Sequence, residues 1–195
     1  KMFVTGFFCV AFGVADLLCF GEAMVEFNHT QAGGPYVQGF GGDTSNVAIA
    51  AARQGASAGC IGATGDDVFG DLLHELWRAE GVDATEIARR TDAPTGIYFV
   101  THGPQGHVFS YRRAGSASSR YGVRHLPHDL LKQAKVLHVS AISQAISDVA
   151  CDGVFEAIDI VRKAGGLVSY DTNLRLKLWP LARARSIPTR AACLA

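Results

Sequence analysis

Gly39 to Asn46 reads GFGGDTSN: three glycines within four positions, then small polar residues, then the alanine-rich run VAIAAARQG. Glycines set this densely let something approach the backbone, because they carry no Cβ and accept positive φ at little steric cost. A nucleotide phosphate, a neighbouring strand or a polar small molecule could take that place. The run that follows is helical in pattern: Thr44 or Ser45 is suited to N-cap, alanines fill the interior, and Gly55 suits the C′ position. A helix start presents free N–H groups and the positive end of the dipole, so it favours an electronegative partner.

Two nucleotide motifs are testable here and neither fits. Gly39-x-Gly41 begins like G-x-G-x-x-G, but position 44 is Thr and the preceding QAGGPYVQ is a poor buried strand. The sequence G-x-x-x-x-G-K-[ST] is absent. Outward from the glycines, LLCFGEAMVEF (17–27) reads as a strand with a break at Gly21, and ASAGCIGATG as a short buried strand. A second helix follows, with Asp67 as its cap, Phe69, Leu72, Leu73, Leu76 and Trp77 on one face, and Gly81 as its stop. TGIYFVTHGPQGHVFSYRRAG then places two β-rich runs around the turn GPQG, a hairpin signal. A strand at Val136 to Ser140, a helix from about Asp148 to Ala164 and a strand at Leu167 to Asp171 complete the alternation. Strands alternating with helices predict a mostly parallel sheet covered on both faces, with right-handed crossovers.

Composition narrows the function classes. Apolar residues make up 48% and charged residues 18% of 195, which is a globular balance. Lys+Arg and Asp+Glu stand at 18 each with no long basic run, so neither nucleic acid nor an anionic membrane surface is an expected partner. The five cysteines are scattered and form no C-x-x-C, which points to reduced thiols and a cytoplasmic protein, with Cys19 and Cys60 in strand cores. His125 and His128 lack a third ligand, so no metal site is expected. Asp66 and Asp67 read as turn and cap residues.

In an open parallel sheet the ligand crevice lies beyond the carboxyl ends of the strands, and several polar clusters map to that edge. Asp43 and Asn46 sit at the helix start. Asp171 and Asn173 follow the last strand, with Arg175 just beyond. Tyr98, Tyr111, Arg112 and Arg113 lie on the hairpin. Carboxylate and carboxamide suit hydroxyls, phenols suit stacking or hydrogen bonds, and guanidinium suits a carboxylate, so a hydroxylated small molecule fits this set. Each group also has a plain structural reading: an entry turn for the glycines, packing for the tyrosines, a local ion pair for Asp171-Asn173-Arg175.

Together these pieces resemble the PfkB or ribokinase-like carbohydrate kinases over about 17–181. CFGEAMVEF resembles their first strand, GFGGDTSNVAIAAARQGASAGCIGATGDDVFG their N-terminal signature, and YDTNLRLKLWP a motif of the sugar-acid and fructose branches. GEAMVEF, YRRAGSAS and DTNLRLKLW look most like 2-keto-3-deoxygluconate kinases. The resemblance implies a Rossmann-like, three-layer α/β/α ribokinase-like fold with a small inserted β-lid formed by segments of about 26–40 and 95–115, and the C-terminal part of the fold missing. It implies that a sugar approaches Gly41 and Gly42, that Asp43 and Asn46 bind its hydroxyls, and that Tyr98, Tyr111 and Arg113 reach it from the lid. Arg175 would hold the substrate or the transferring phosphate, with Asp171 and Asn173 shaping the turn.

Complete members use ATP and Mg²⁺ to phosphorylate a primary hydroxyl. Their proton-accepting aspartate and anion hole belong to a GAGD-type motif in the C-terminal half, and no GAGD occurs in these 195 residues. The expectation is therefore the sugar-binding half of a sugar kinase, without catalytic base or ATP site, and able to dimerise through the lid. A non-catalytic sugar-binding or assembly module, or fructokinase-type specificity, is the alternative. At the ends, Met2 to Ala15 is too short to span a bilayer comfortably and reads as an atypical extension (1–16), an added segment or an extra strand before a signal. Residues 182–195 show no clear periodicity and read as a truncated tail.

Overall fold

The computed structural model describes residues 15–193, so the apolar extension lies almost wholly outside the described residues. Five parallel strands form the main sheet in the order β5-β4-β1-β8-β9: β1 is Leu17–Phe20, β4 Ala58–Gly65, β5 Ile87–Arg90, β8 Val136–Ser140 and β9 Leu167–Asp171. A second sheet, the lid, has the order β3-β2-β6-β7, from β2 Met24–His29, β3 Tyr36–Gly41, β6 Ile97–Gly103 and β7 Gly106–Arg112. Its pairs are antiparallel except β2 with β6.

Alternation along the main strands feeds two cores, one on each face. Leu18, Phe20, Ile61, Leu137 and Val139 pack with Leu131 of helix α3 (His128–Gln133) and with Val154, Ile158 and Val161 of α5 (Asp148–Lys163). Cys19 and Cys60, facing the other way, pack with Ala48 of α1 (Asp43–Arg53) and with Leu73 and Trp77 of α2 (Val68–Ala79). This is the three-layer α/β/α arrangement, with apolar residues on both faces as a covered parallel sheet requires. Of the expected α2 face, Phe69, Leu72, Leu73 and Trp77 join that core, while Leu76 is half-buried outside it.

Three local readings change. The run 17–27 is not one broken strand but two strands in different sheets, with Gly21 to Ala23 as the passage between them. Gly21 permits the turn, since a Cβ there would meet the Thr44 and Ser143 hydroxyls. Neither Thr44 nor Ser45 caps α1. Both are buried inside it, and the N-cap is Gly42, at φ 130 and without a side-chain cap bond. Ser45 Oγ instead accepts the Trp77 indole N–H at 2.8 Å, because a buried indole needs an acceptor. Finally, most of the stretch 182–195, which shows no clear periodicity, is helical: α4 (Ala141–Ala145) is met by α6 (Leu181–Cys193), where Ala184 packs with Trp179 and Ala141.

Asp67 does cap α2. Its Oδ1 accepts the Gly70 N–H at 2.8 Å and its Oδ2 the Thr95 N–H at 2.8 Å, tying the helix start to the strand entering the lid. Burial pushes this carboxyl up, but the N–H groups of Thr95 and Gly70 outweigh it, and the net shift is downward. Replacing this cap by alanine (Asp67→Ala) is expected to cost about 1–2 kcal/mol in urea unfolding at neutral pH. A depressed folded pKa contributes stability that is present above the unfolded value and lost as pH falls through the folded one, so wild type and variant converge in acid.

Candidate functional site

Asp43 is the meeting point on the base of the site. It begins α1, where the helix dipole favours a carboxylate, and its Oδ1 accepts the Thr44 N–H at 2.9 Å. Its Oδ2 accepts from the Ser140 hydroxyl at the end of β8 and from Asn173 Nδ2 at 3.1 Å. Asn173, at φ 20, is held in turn by a bond from its N–H to Asp171 Oδ1 at 3.0 Å, and Asp171 lies opposite Ser140 in the β8–β9 register. Asp43, Asp171 and Asn173 are thus brought together by the parallel register, which places the ends of neighbouring strands side by side. Asn46, one turn into α1, is exposed, and its backbone N–H closes the first helical bond to Gly42 at 2.9 Å.

The two glycines are occupied by the chain itself. A Cβ on Gly41 would collide with the Tyr98 ring; one on Gly42 would stand 2.7 Å from the Glu22 carbonyl and 2.9 Å from Ala23 Cα. Of the partners the sequence allows, protein is what the structure sets against this bend. Tyr98 is 8% exposed, and its hydroxyl donates to Glu26 Oε2. Burial, then the bond to Glu26, pushes the phenol well above its ordinary value, so it remains a donor. Tyr111 stacks on it at 5.5 Å and 30° and is 41% exposed.

Arg113 lies just past β7, its guanidinium 5.8 Å from the Tyr111 ring centre. Its charge is engaged within the protein by an ion pair to Glu22, whose side chain is 1% exposed. Ser116 Oγ donates to the same carboxylate at 2.6 Å. Burial pushes the Glu22 carboxyl up, Arg113 and Ser116 offset only part of that, and the net shift is upward. Arg175 is not drawn into the cluster: it is exposed and donates to the neighbouring Leu174 carbonyl at 3.2 Å.

Glu22, Glu26 and Ser140 escape the sequence reading. A signal exists for the carboxylates: two acids inside the apolar run LLCFGEAMVEF have to find partners if that run is buried. Ser140 has no such signal. Two of the hollows among the described residues lie on the lid and beside α2. One of about 420 Å³ is lined in part by Glu26, Asn28, Gln38, Gly39 and His102 on the lid. One of about 580 Å³ lies beside α2 around His74, Arg78 and Asp83. Neither of these two is lined by Asp43 or Tyr111, and the candidate site is located by its convergent polar groups.

Comparison with known proteins places this arrangement. Residues 14–192 match the pfkB family carbohydrate kinases. The chain belongs to that family. It is 36% identical over 171 residues to a probable fructokinase-4 of Arabidopsis thaliana, covering 84% of this chain and 52% of that one. It is 37% identical to a fructokinase-1 of Oryza sativa subsp. japonica, covering 84% and 53%. Among solved structures, a PfkB protein from Polaromonas sp. JS666 superimposes with TM-score 0.88 at 31% identity, covering 93% of this chain and 64% of that one. A fructokinase with bound ATP from Xylella fastidiosa gives 0.83 at 30%, covering 92% and 55%. The pfkB chain therefore spans about half the length of the curated relatives it matches. The family expectation and the fold hold; the finer lean toward 2-keto-3-deoxygluconate kinases gives way to relatives named fructokinases.

The lid contact is open to direct measurement. Removing the Tyr98 hydroxyl (Tyr98→Phe) takes the donor from Glu26 Oε2 and leaves the carboxylate only the Asn28 amide, 3.3 Å from Oε1, and is expected to cost about 1–3 kcal/mol. Tyr111→Phe, on an exposed ring with no bonded hydroxyl partner among the described residues, is expected to change stability by less than about 0.5 kcal/mol. Equal losses in chemical denaturation would contradict the assignment.

Proposed function

We propose that this chain is the sugar-binding portion of an ATP-dependent carbohydrate kinase whose substrate is a neutral, fructose-like sugar and whose product is a phosphate ester of a primary hydroxyl. One observation carries the reading. Asp43, at the positive start of α1 and fixed by Ser140 and Asn173, lies at the strand ends beside exposed Asn46, where a hydroxyl-bearing ligand meets an acceptor and an amide together. The names of the quoted relatives support fructose over 2-keto-3-deoxygluconate.

In this reading Asp43 accepts from sugar hydroxyls and Asn46 both donates and accepts. Gly41 and Gly42 serve the site indirectly, by letting Tyr98 and the 22–23 backbone pack beside the start of α1, and Tyr111 offers the exposed ring of the lid. Asp171 and Asn173 shape the turn that carries Arg175 toward the sugar or the transferring phosphate. Phosphoryl transfer needs a positioned base and charge stabilisation beyond these residues. The described residues hold no group of three or more His, Cys, Asp or Glu arranged for a metal ion, and no GAGD occurs in the sequence.

A second reading, an assembly module that pairs through its lid as a homodimer, rests on Val37, Phe109 and Tyr111. They share one lid face by register and are all exposed. Calorimetric titration separates the two readings. Fructose is expected to bind, ATP to give no heat, and a coupled assay to show no turnover. Sugar-dependent ATP consumption by the purified chain overturns the half-enzyme reading; binding of neither ligand by folded, dimeric protein favours assembly. Asn46→Ala is expected to weaken fructose roughly two- to tenfold with unfolding unchanged, the loss of one neutral hydrogen bond.

A further inference from the structure

His125, set aside as a metal ligand by its spacing, is a fixed ring beside Arg90 at the end of β5, the edge strand farthest from β9 and so apart from the Asp43 cluster. Tyr121, 2% exposed, stacks on it at 5.3 Å and 25° and donates its hydroxyl to the His125 carbonyl at 2.9 Å. The backbone N–H of buried Gly122 donates to Nδ1 at 3.0 Å. Burial, then Arg124 and Arg90, push the imidazole below its ordinary value, so the ring is neutral; with Nδ1 accepting, Nε2 carries the proton. That proton faces further donors, because Arg90 Nη1 and Arg124 Nε each stand 3.2 Å from Nε2. Three N–H groups thus meet where an acceptor is required. Asp92 is engaged elsewhere: it accepts from Arg90 Nε at 2.9 Å and Nη2 at 2.8 Å, the other edge of that guanidinium. Arg120 flanks the same acid, its Nη1 donating to the Asp92 carbonyl at 2.9 Å, so the neighbourhood keeps an excess of positive charge.

We propose that Arg90, Arg124 and His125 form a binding site for a phosphate group, whose oxygens accept from the three N–H groups that otherwise oppose one another. Two guanidinium cations and a neutral donor suit a dianion with several terminal oxygens better than a carboxylate, which brings one charge and two oxygens. Arg124 is exposed and His125 half-buried, so the spot is reached from solvent, and Arg124 can swing outward to admit an oxygen. The stacked and hydrogen-bonded ring loses little freedom on binding, which favours affinity. Inorganic phosphate and a phosphate ester offer the same oxygens. The site is independent of the sugar-binding reading above.

The test follows the His125 ring by nitrogen-resolved NMR of the full chain at neutral pH. Its signals are assigned by their loss in His125→Asn, whose amide oxygen can still accept from Gly122. Inorganic phosphate, D-fructose 6-phosphate and acetate are titrated separately, each against sodium chloride at matched ionic strength. In the free protein the proton is expected on Nε2; finding it on Nδ1 overturns the proposal. Phosphate is expected to move the ring signals saturably and to bind at least tenfold tighter than acetate. Signals that follow ionic strength alone, or equal affinity for acetate, overturn it. Tighter binding of inorganic phosphate supports the site and assigns it to the free ion, whereas tighter binding of the sugar phosphate supports it and assigns it to an ester. Arg124→Gln is expected to weaken phosphate roughly three- to tenfold, the loss of one exposed charge-assisted hydrogen bond, and Arg124→Lys to recover part of that loss. Unchanged affinity in folded Arg124→Gln overturns the proposal. Should that variant not fold, the wild-type tautomer and the phosphate-to-acetate ratio decide.

Discussion

Glu22 is buried at the seam between the parallel sheet and the lid, and the chain crosses that seam four times. The first crossing, from β1 to β2, carries Glu22 itself. At the second, β3 to α1, Gly42 fits only because it lacks a Cβ that would meet the Glu22 carbonyl. At the third, entering β6, Gly96 makes room for the Glu22 carboxylate; at the fourth, leaving β7, Arg113 and Ser116 bind it. A charge this deep is tolerable only when paired and hydrogen-bonded. The need to satisfy one carboxylate thus holds the lid's four strands at a defined place above the base.

On the base, the same physics works with partial charges. Asp43 is surrounded by donors: the start of α1, the Ser140 hydroxyl and the Asn173 amide. Its field reaches inward to Cys19, whose thiol is pushed up to about 12, first by burial and then by Asp43. Burial likewise pushes up Cys60, its neighbour in register on β4. These thiols stay protonated and serve as small apolar core residues, as their place in strands suggests. No helix among the described residues is long and apolar enough to cross a membrane.

Much of the fold is legible because it depends on local patterns. The hairpin around GPQG closes with Gly103 opposite Gly106, the strands 136–140 and 167–171 fall where the sequence reading puts them, and the long helix begins at Asp148 behind a Ser147 cap. Asp67 is recognisable as a cap because its partner N–H lies three residues away. Cap choice at α1 is not legible, since Thr44 and Ser45 have the right chemistry and lose it to long-range needs: Ser45 serves Trp77, thirty-two residues on. The destination of Arg113 is equally hidden. An arginine after a strand can meet a ligand, solvent or an acid, and here the acid lies 91 residues earlier in the chain.

By itself, then, the sequence determined the alternation of strands and helices, the two-faced apolar core, the position of the lid hairpin and the family, all of which follow from short-range periodicity and from motifs read in order. Only the tertiary structure decided that residues 17–27 split between two sheets, that the glycines make room for Tyr98 and the 22–23 backbone, and that Asp43, Ser140 and Asn173 share one carboxylate. The reason is that buried charges and donors must be satisfied wherever the chain happens to bring them together, and sequence separation carries no information about that distance.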